Sequence, residues 1–143
     1  MTDWLELLPH QPPMRLVAEV VAIEPGDRAI CRRPTAAGDW FFDGHFPNEP
    51  VVPAVVLVEL LAQTGGLAIG SGAIGGEPLA LRVAALGSFK FPGAAVAGDV
   101  LEATARVVGK MGGLYKIEGE VTVGGRVVGA GSVTLAEARR NAE

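Results

Sequence analysis

Residues 51–76, VVPAVVLVELLAQTGGLAIGSGAIGG, carry a single charge, Glu59, and their reading decides the fold. The run is long enough to cross a bilayer. Pro53 near its start, the glycines at 65, 66, 70, 72, 75 and 76, and the polar pair Glu59 and Gln63 one helical turn apart argue against a span. A helix enclosed in a protein core is also apolar almost all round. Proline suits the first helical position, so the sequence predicts a helix from about Pro53 through AVVLVELLAQ, weakened at Gly65-Gly66 and ended by about Gly70.

On the N-terminal side, residues 1–13 read as a short helical turn and a loop stiffened by Pro12 and Pro13. Residues 14–23 are rich in Val and Ile, Pro25-Gly26-Asp27 is turn chemistry, and residues 28–33 start a returning strand, which makes a hairpin. Residues 34–50 form an irregular loop around Trp40, Phe41, Phe42 and Phe46. Beyond Pro78 the chain reads as strands. Tyr115, Ile117, Gly119, Val121 and Val123 share one face, and Leu101, Ala103, Ala105 and Val107 alternate in the same way. Gly112-Gly113 and Gly124-Gly125 stand where tight antiparallel turns need positive φ. One hairpin, one apolar helix and about four long strands call for a curved antiparallel sheet wrapped round the helix, an α+β architecture over a single domain, residues 1–143. Its long sheet edges favour pairing with a second subunit.

Composition narrows the function. The chain has 143 residues, 49% apolar and 20% charged, with 20 Gly and 10 Pro spread along it, which suits one compact core. The net charge is −4 and no basic run exceeds the pairs Arg32-Arg33 and Arg139-Arg140, so the basic stripe of a nucleic-acid binder is missing. Cys31 is the sole cysteine, which precludes an internal disulfide, reads as a small core residue and fits a reducing cytoplasm. With His10 and His45 as the only imidazoles, a His/Cys zinc cluster cannot be assembled from one chain. No metal and no cofactor are expected: the glycines of GSGAIGG follow a helix and do not open one, as phosphate-binding loops do. No G-x-S-x-G surrounds Ser71, Ser88 or Ser132, and MTDWLELLPHQPP lacks the basic start of a signal peptide.

Two side chains stand out chemically. His45 lies in GHFPNEP, a loop braced by Gly44, Pro47 and Pro50, flanked by aromatics and feeding a helix whose N–H groups point back toward it. A neutral imidazole there can take a proton while the helix end holds developing negative charge. Glu59 is the one charge in the apolar helix, and enclosure among Val56, Val58 and Leu60 favours the acid form that suits a general acid. Gln63, one turn on, shares its face and is placed to orient it. The plainer readings are a locally hydrogen-bonded loop histidine and a Glu in an ion pair or solvent gap. Glu59 lies roughly 9 Å along the axis from Pro53 at ~1.5 Å per residue, too deep to meet its own N-terminal loop easily. A second subunit supplying one of the two groups would resolve this.

The segments LLPHQPPMRLVAEV, WFFDGHFPNEPVVPAVVLVELLAQTGG and FKFPGAAVAGDVLEATARVV, in that order and spacing, resemble the 3-hydroxyacyl-(acyl-carrier-protein) dehydratases of the FabZ/FabA type. The most specific part is GHFPNEPVVP with a Glu fourteen residues after the His. The resemblance implies the hotdog fold and homodimers, with a trimer of dimers as the larger alternative, in which His45 of one chain faces Glu59 of the other. It implies reversible loss of water from a (3R)-3-hydroxyacyl thioester, carried on acyl carrier protein or coenzyme A, to give the trans-2-enoyl thioester. His45 would take the α-proton, Glu59 would help the 3-hydroxyl leave, and the Ala54 N–H, with Val55 beside it, would hold the thioester oxygen. Gln63, Phe46 and Pro53 complete the implied substrate site.

The carrier protein is acidic, and Lys90, with Arg82, Arg106 and Arg126 if the fold gathers them, would meet it. The chain departs from the family at Ala54, usually Gly, at Ala18, usually Asp, and at Phe91-Pro92-Gly93, where further basic residues are usual. The changes at Ala54 and Ala18 fit a specialised acyl chain, such as that of a secondary-metabolite or polyene pathway. A hotdog thioesterase, a non-catalytic acyl-binding accessory subunit and a hydratase of coenzyme A thioesters are the alternatives.

Overall fold

The computed structural model describes residues 3–44, 50–72 and 80–137. His45 and Phe46, on which part of the expected site rests, lie outside them. A short 3-10 turn, Trp4–Leu7, is capped by the Asp3 carboxylate, which accepts from Leu5 N. Strands β1 (Glu19–Glu24) and β2 (Arg28–Pro34) form the expected hairpin, α1 spans Ala54–Gly70, and β3 (Leu81–Lys90), β4 (Val100–Met111), β5 (Leu114–Val123) and β6 (Arg126–Glu137) follow. The six strands make one antiparallel sheet in the order β1-β2-β4-β5-β6-β3. It wraps α1, which packs chiefly on β4 and β2. This is the hotdog arrangement. Among the described residues, no helix is long and apolar enough to cross a membrane.

Pro53, with its φ fixed at −60°, is the N-cap, so the helix begins one residue later than the proline itself. Its carbonyl accepts from Val56 N at 2.9 Å. The enclosed face carries Leu60, Leu61, Leu67 and Ala68, none measurably exposed, against Leu101, Ala103, Ala105 and Ile117 of the sheet. Small residues beneath the helix let it sit close. A Cβ on Gly119 of β5 would stand 2.9 Å from Leu61 Cδ1 and collide with the Thr104 carbonyl. The predicted weakening at Gly65-Gly66 does not occur. Gly65 is instead a packing position, where a Cβ would come 2.8 Å from Ile117 Cγ1. The two tight turns have the expected positive φ, 51° and 84° at Gly112-Gly113 and 55° and 82° at Gly124-Gly125.

Two departures from the sequence reading bear on the site. The first strand starts at Glu19, not near Met14. The N–H groups of Leu16 and Val17 are taken by the Gln63 side chain of α1, which replaces ladder partners at those positions. The second departure is β3, which lies at the sheet edge beyond the helix. It leaves Val83 and Leu86 exposed, where its Val- and Leu-bearing sequence predicts a half-buried strand.

Candidate active site

Glu59 sits in the second turn of α1, on the flank facing the loop of residues 10–17 and strand β3. Its Oε2 accepts a hydrogen bond from Gln63 Nε2 at 2.9 Å, the i,i+4 partnership that helical spacing makes available. His10 Nε2 stands 3.4 Å from the same oxygen. The expected full enclosure of Glu59 is corrected by the structure: its side chain keeps 28% of its exposure, because it lies at a junction of two hollows.

Gln63 is almost wholly buried, and all of its amide is engaged. Oε1 accepts from Leu16 N at 2.9 Å and Val17 N at 3.4 Å, and Nε2 donates to Met14 O at 2.7 Å as well as to Glu59. The glutamine therefore ties the N-terminal loop to the helix and orients the carboxylate with one side chain. With its polar atoms so occupied, it supports the site from behind and offers nothing directly to a ligand.

The first hollow, of about 240 Å³, runs from His10, Glu59 and Arg82 inward past Leu8, Ala62 and Gly66 to Leu135. The second is an open apolar groove of about 520 Å³ between the start of α1 and β3. It is bounded by Ala54, Val55, Val58 and Glu59 on one side and Leu86 and Phe89 on the other. Glu59 and Val83 belong to both. Ala54 and Val55 are exposed at the helix start, Val55 by 73%, and the first N–H groups of a helix have no partner within it. The two hollows thus share one carboxyl group, and helix-end donors stand on the rim of the second. Such a carboxyl can give or take a proton next to a molecule whose hydrocarbon part is held out of water.

His10 is the site residue that sequence reasoning missed. It entered as one of two imidazoles and inside the segment LLPHQPPMRLVAEV that carries the resemblance, without a role, and no local spacing signals its approach to Glu59. The expected basic residues are only partly gathered. Lys90 and Arg106 line one trough on the outer face of the sheet, together with Lys116, Glu118 and Glu120. Arg82 lies instead at the first hollow, and Arg126 donates to Ala94 O at 3.3 Å. Cys31 is fully enclosed, and burial pushes its thiol up to about 11, partly offset by a hydrogen bond with Thr64, which suits a core residue and not a nucleophile. Among the described residues, no three His, Cys, Asp or Glu side chains gather to hold a metal ion.

Comparison with known proteins identifies the family. The family model of the FabA-like domain matches residues 8–132. The chain is 34% identical over 136 residues to the 3-hydroxyacyl-[acyl-carrier-protein] dehydratase FabZ of Ruminiclostridium cellulolyticum, covering 92% of each. It is 37% identical over 125 residues to the enzyme of that name from Anaeromyxobacter, covering 85% of this chain and 79% of the relative. Among solved structures, the dehydratase heterocomplex ApeI:P from Xenorhabdus doucetiae superposes with a TM-score of 0.79 at 17% identity, covering 98% of this chain and 93% of that one. A match along most of the chain, both to the family model and to relatives above 30% identity, places the protein in the FabA-like family, among its FabZ-type dehydratases.

Proposed function

We propose that the protein is a 3-hydroxyacyl-[acyl-carrier-protein] dehydratase, interconverting (3R)-3-hydroxyacyl and trans-2-enoyl thioesters. The observation that carries this reading is Glu59, hydrogen-bonded by Gln63, approached by His10 and lining two adjacent hollows, in a chain of the FabZ type. His45 removes the α-proton, and the electron pair left on Cα forms the new double bond as the bond from C3 to its hydroxyl breaks. Glu59 supplies the proton with which that hydroxyl leaves as water. The Ala54 N–H, with Val55 next to it, steadies the thioester oxygen while it carries negative charge, and Pro53 and Phe46 shape the approach.

The acyl tail occupies the inner cavity of about 240 Å³ behind Glu59. The exposed apolar edge at Val55, Val83 and Leu86 supports a homodimer in which each site draws His45 from the partner. Lys90 and Arg106, with Arg82 at the cavity, receive the acidic carrier protein in the cytoplasm, with the whole chain acting as one domain.

The test is to incubate the protein with an enoyl thioester and with its 3-hydroxy counterpart, on carrier protein and on coenzyme A, following ultraviolet absorbance and free thiol. Interconversion without thiol release is expected. His45→Ala and Glu59→Gln should each lower turnover by about 10²–10⁴ with fold and oligomer intact. Wild-type rates in either variant overturn the assignment, and thiol release in place of interconversion indicates a thioesterase.

A further inference from the structure

Two side-chain nitrogens from different elements approach one oxygen of Glu59. Gln63 Nε2 reaches Oε2 along the helix at 2.9 Å, and His10 Nε2 reaches it from the N-terminal loop at 3.4 Å. Among the described residues, no donor reaches Oε1. The loop that brings His10 there is fastened at several points. Arg15 Nε donates to His10 O at 3.1 Å, and Gln63 binds Met14 O, Leu16 N and Val17 N. The other ring nitrogen, His10 Nδ1, is buried without a hydrogen-bond partner. An orphaned N–H is the costlier of the two unsatisfied states, so the ring proton of the neutral form belongs on Nε2, facing the carboxylate. The 3.4 Å separation exceeds the ~3.0 Å of a tight N–H···O bond, as catalytic contacts without substrate commonly do.

We infer that His10 is a positioning residue for the dehydration. With Gln63 it holds Oε2, so that Oε1 is the atom presented to the 3-hydroxyl or to a water bridging to it. One donor leaves the carboxylate free to swing about its side-chain bonds, whereas two donors from separate elements fix its plane. This inference rests on the proposed role of Glu59. Misorienting the carboxylate affects the chemical step more than the capture of a thioester whose tail lies in the inner cavity, so the loss falls on kcat.

The experiment compares His10→Ala, His10→Gln and His10→Asn in the full-length protein. A glutamine carries its amide nitrogen near the place of Nε2, and an asparagine near that of Nδ1. His10→Ala should lower kcat by about 10–100-fold, the usual effect of removing a partner that orients a reacting group, with KM within about threefold. His10→Gln should recover most of that loss and His10→Asn little of it. The double variant His10→Ala/Glu59→Gln should be no slower than Glu59→Gln alone. Equal activity of the Gln and Asn variants, or a wild-type kcat in His10→Ala, overturns the inference. If circular dichroism shows His10→Ala unfolded, the Gln and Asn pair decides. An active Glu59→Gln single variant overturns the parent reading instead, which keeps the two failures distinct.

Discussion

Placing an alanine at Gly66 separates the stability of the helix from the size of the space behind Glu59. A Cβ at Gly66 meets nothing within 4 Å, and the residue lines the inner cavity of about 240 Å³. Alanine is better than glycine inside a helix by about 0.8–1.0 kcal/mol, so the variant is expected to be more stable by about that amount. For a chain of this length the gain corresponds to a rise of roughly 2–5 °C in Tm. The same methyl removes about one methylene's worth of cavity. A thioester long enough to fill the cavity loses burial of about one CH₂, ~0.8 kcal/mol, which is about fourfold in kcat/KM. A short one loses nothing.

Gly65→Ala is the control at the adjacent position. Its Cβ would lie 2.8 Å from Ile117 Cγ1 and 3.1 Å from Cγ2, so overpacking of about 1–3 kcal/mol offsets the propensity gain. Its Tm should fall or stay level. The assay measures kcat/KM for 3-hydroxyacyl thioesters of increasing chain length, beside thermal unfolding at one fixed protomer concentration, since assembly shifts Tm. A uniform loss across all chain lengths in Gly66→Ala refutes the assignment of this cavity to the acyl tail, and a lowered Tm there refutes the open space behind the helix at Gly66.

Three further outcomes are expected. Gln63→Leu strips partners from the buried N–H groups of Leu16 and Val17, so urea unfolding should show a loss of about 2–6 kcal/mol at ~1–3 per orphaned group; a loss under 1 kcal/mol contradicts the role given to this amide. The Cys31 thiol ionises near 9.0 in the unfolded chain and near 11 in the fold, so its contribution to stability is whole below pH 9 and disappears as the pH climbs to 11. The stability difference between wild type and Cys31→Ala should therefore shrink by about 2 kcal/mol between pH 8 and pH 10.5, at ~1.4 kcal/mol per unit, and a constant difference speaks against it. Reversing the charge of Lys90 and Arg106 to Glu should raise KM several-fold for carrier-protein substrates at low salt and leave coenzyme A substrates unchanged; equal effects on both would remove the trough on the outer sheet from carrier recognition.

What the sequence made legible follows from which interactions are local or periodic. The enclosed helix announces itself by composition, and the inward faces of β4 and β5 by alternation, so Leu101, Ala103, Ile117 and Val121 stand where the pattern puts them. The link between Gln63 and Glu59 is readable because four residues make one helical turn. His10 is not readable in this way. It meets Glu59 only because residues 10–17 fold back along the helix, and nothing in the local pattern records a contact so distant in the chain. Residues 14–18 look like a strand for the same reason: Val and Leu are there, but the N–H groups of Leu16 and Val17 are taken by a remote side chain and not by a neighbouring strand. Gly65 resembles a helix breaker until the Ile117 side chain opposite it is known.

The hydrogen bonds that close the N-terminal loop onto α1 are also those that aim Glu59. Gln63 serves both ends, accepting from Leu16 and Val17 and donating to Met14 and to the carboxylate, and His10 arrives on the segment so fastened. Orientation of the acid is therefore not an independent feature added to a finished scaffold, because a local opening of residues 10–17 releases the carboxylate while the sheet and the leucine-filled helix face stay packed. Activity should then be lost at a lower temperature or denaturant concentration than the signal of the sheet. Coincident loss of both would mean that the loop and the core unfold as one unit, and that Glu59 is held by the fold as a whole and not by this strap.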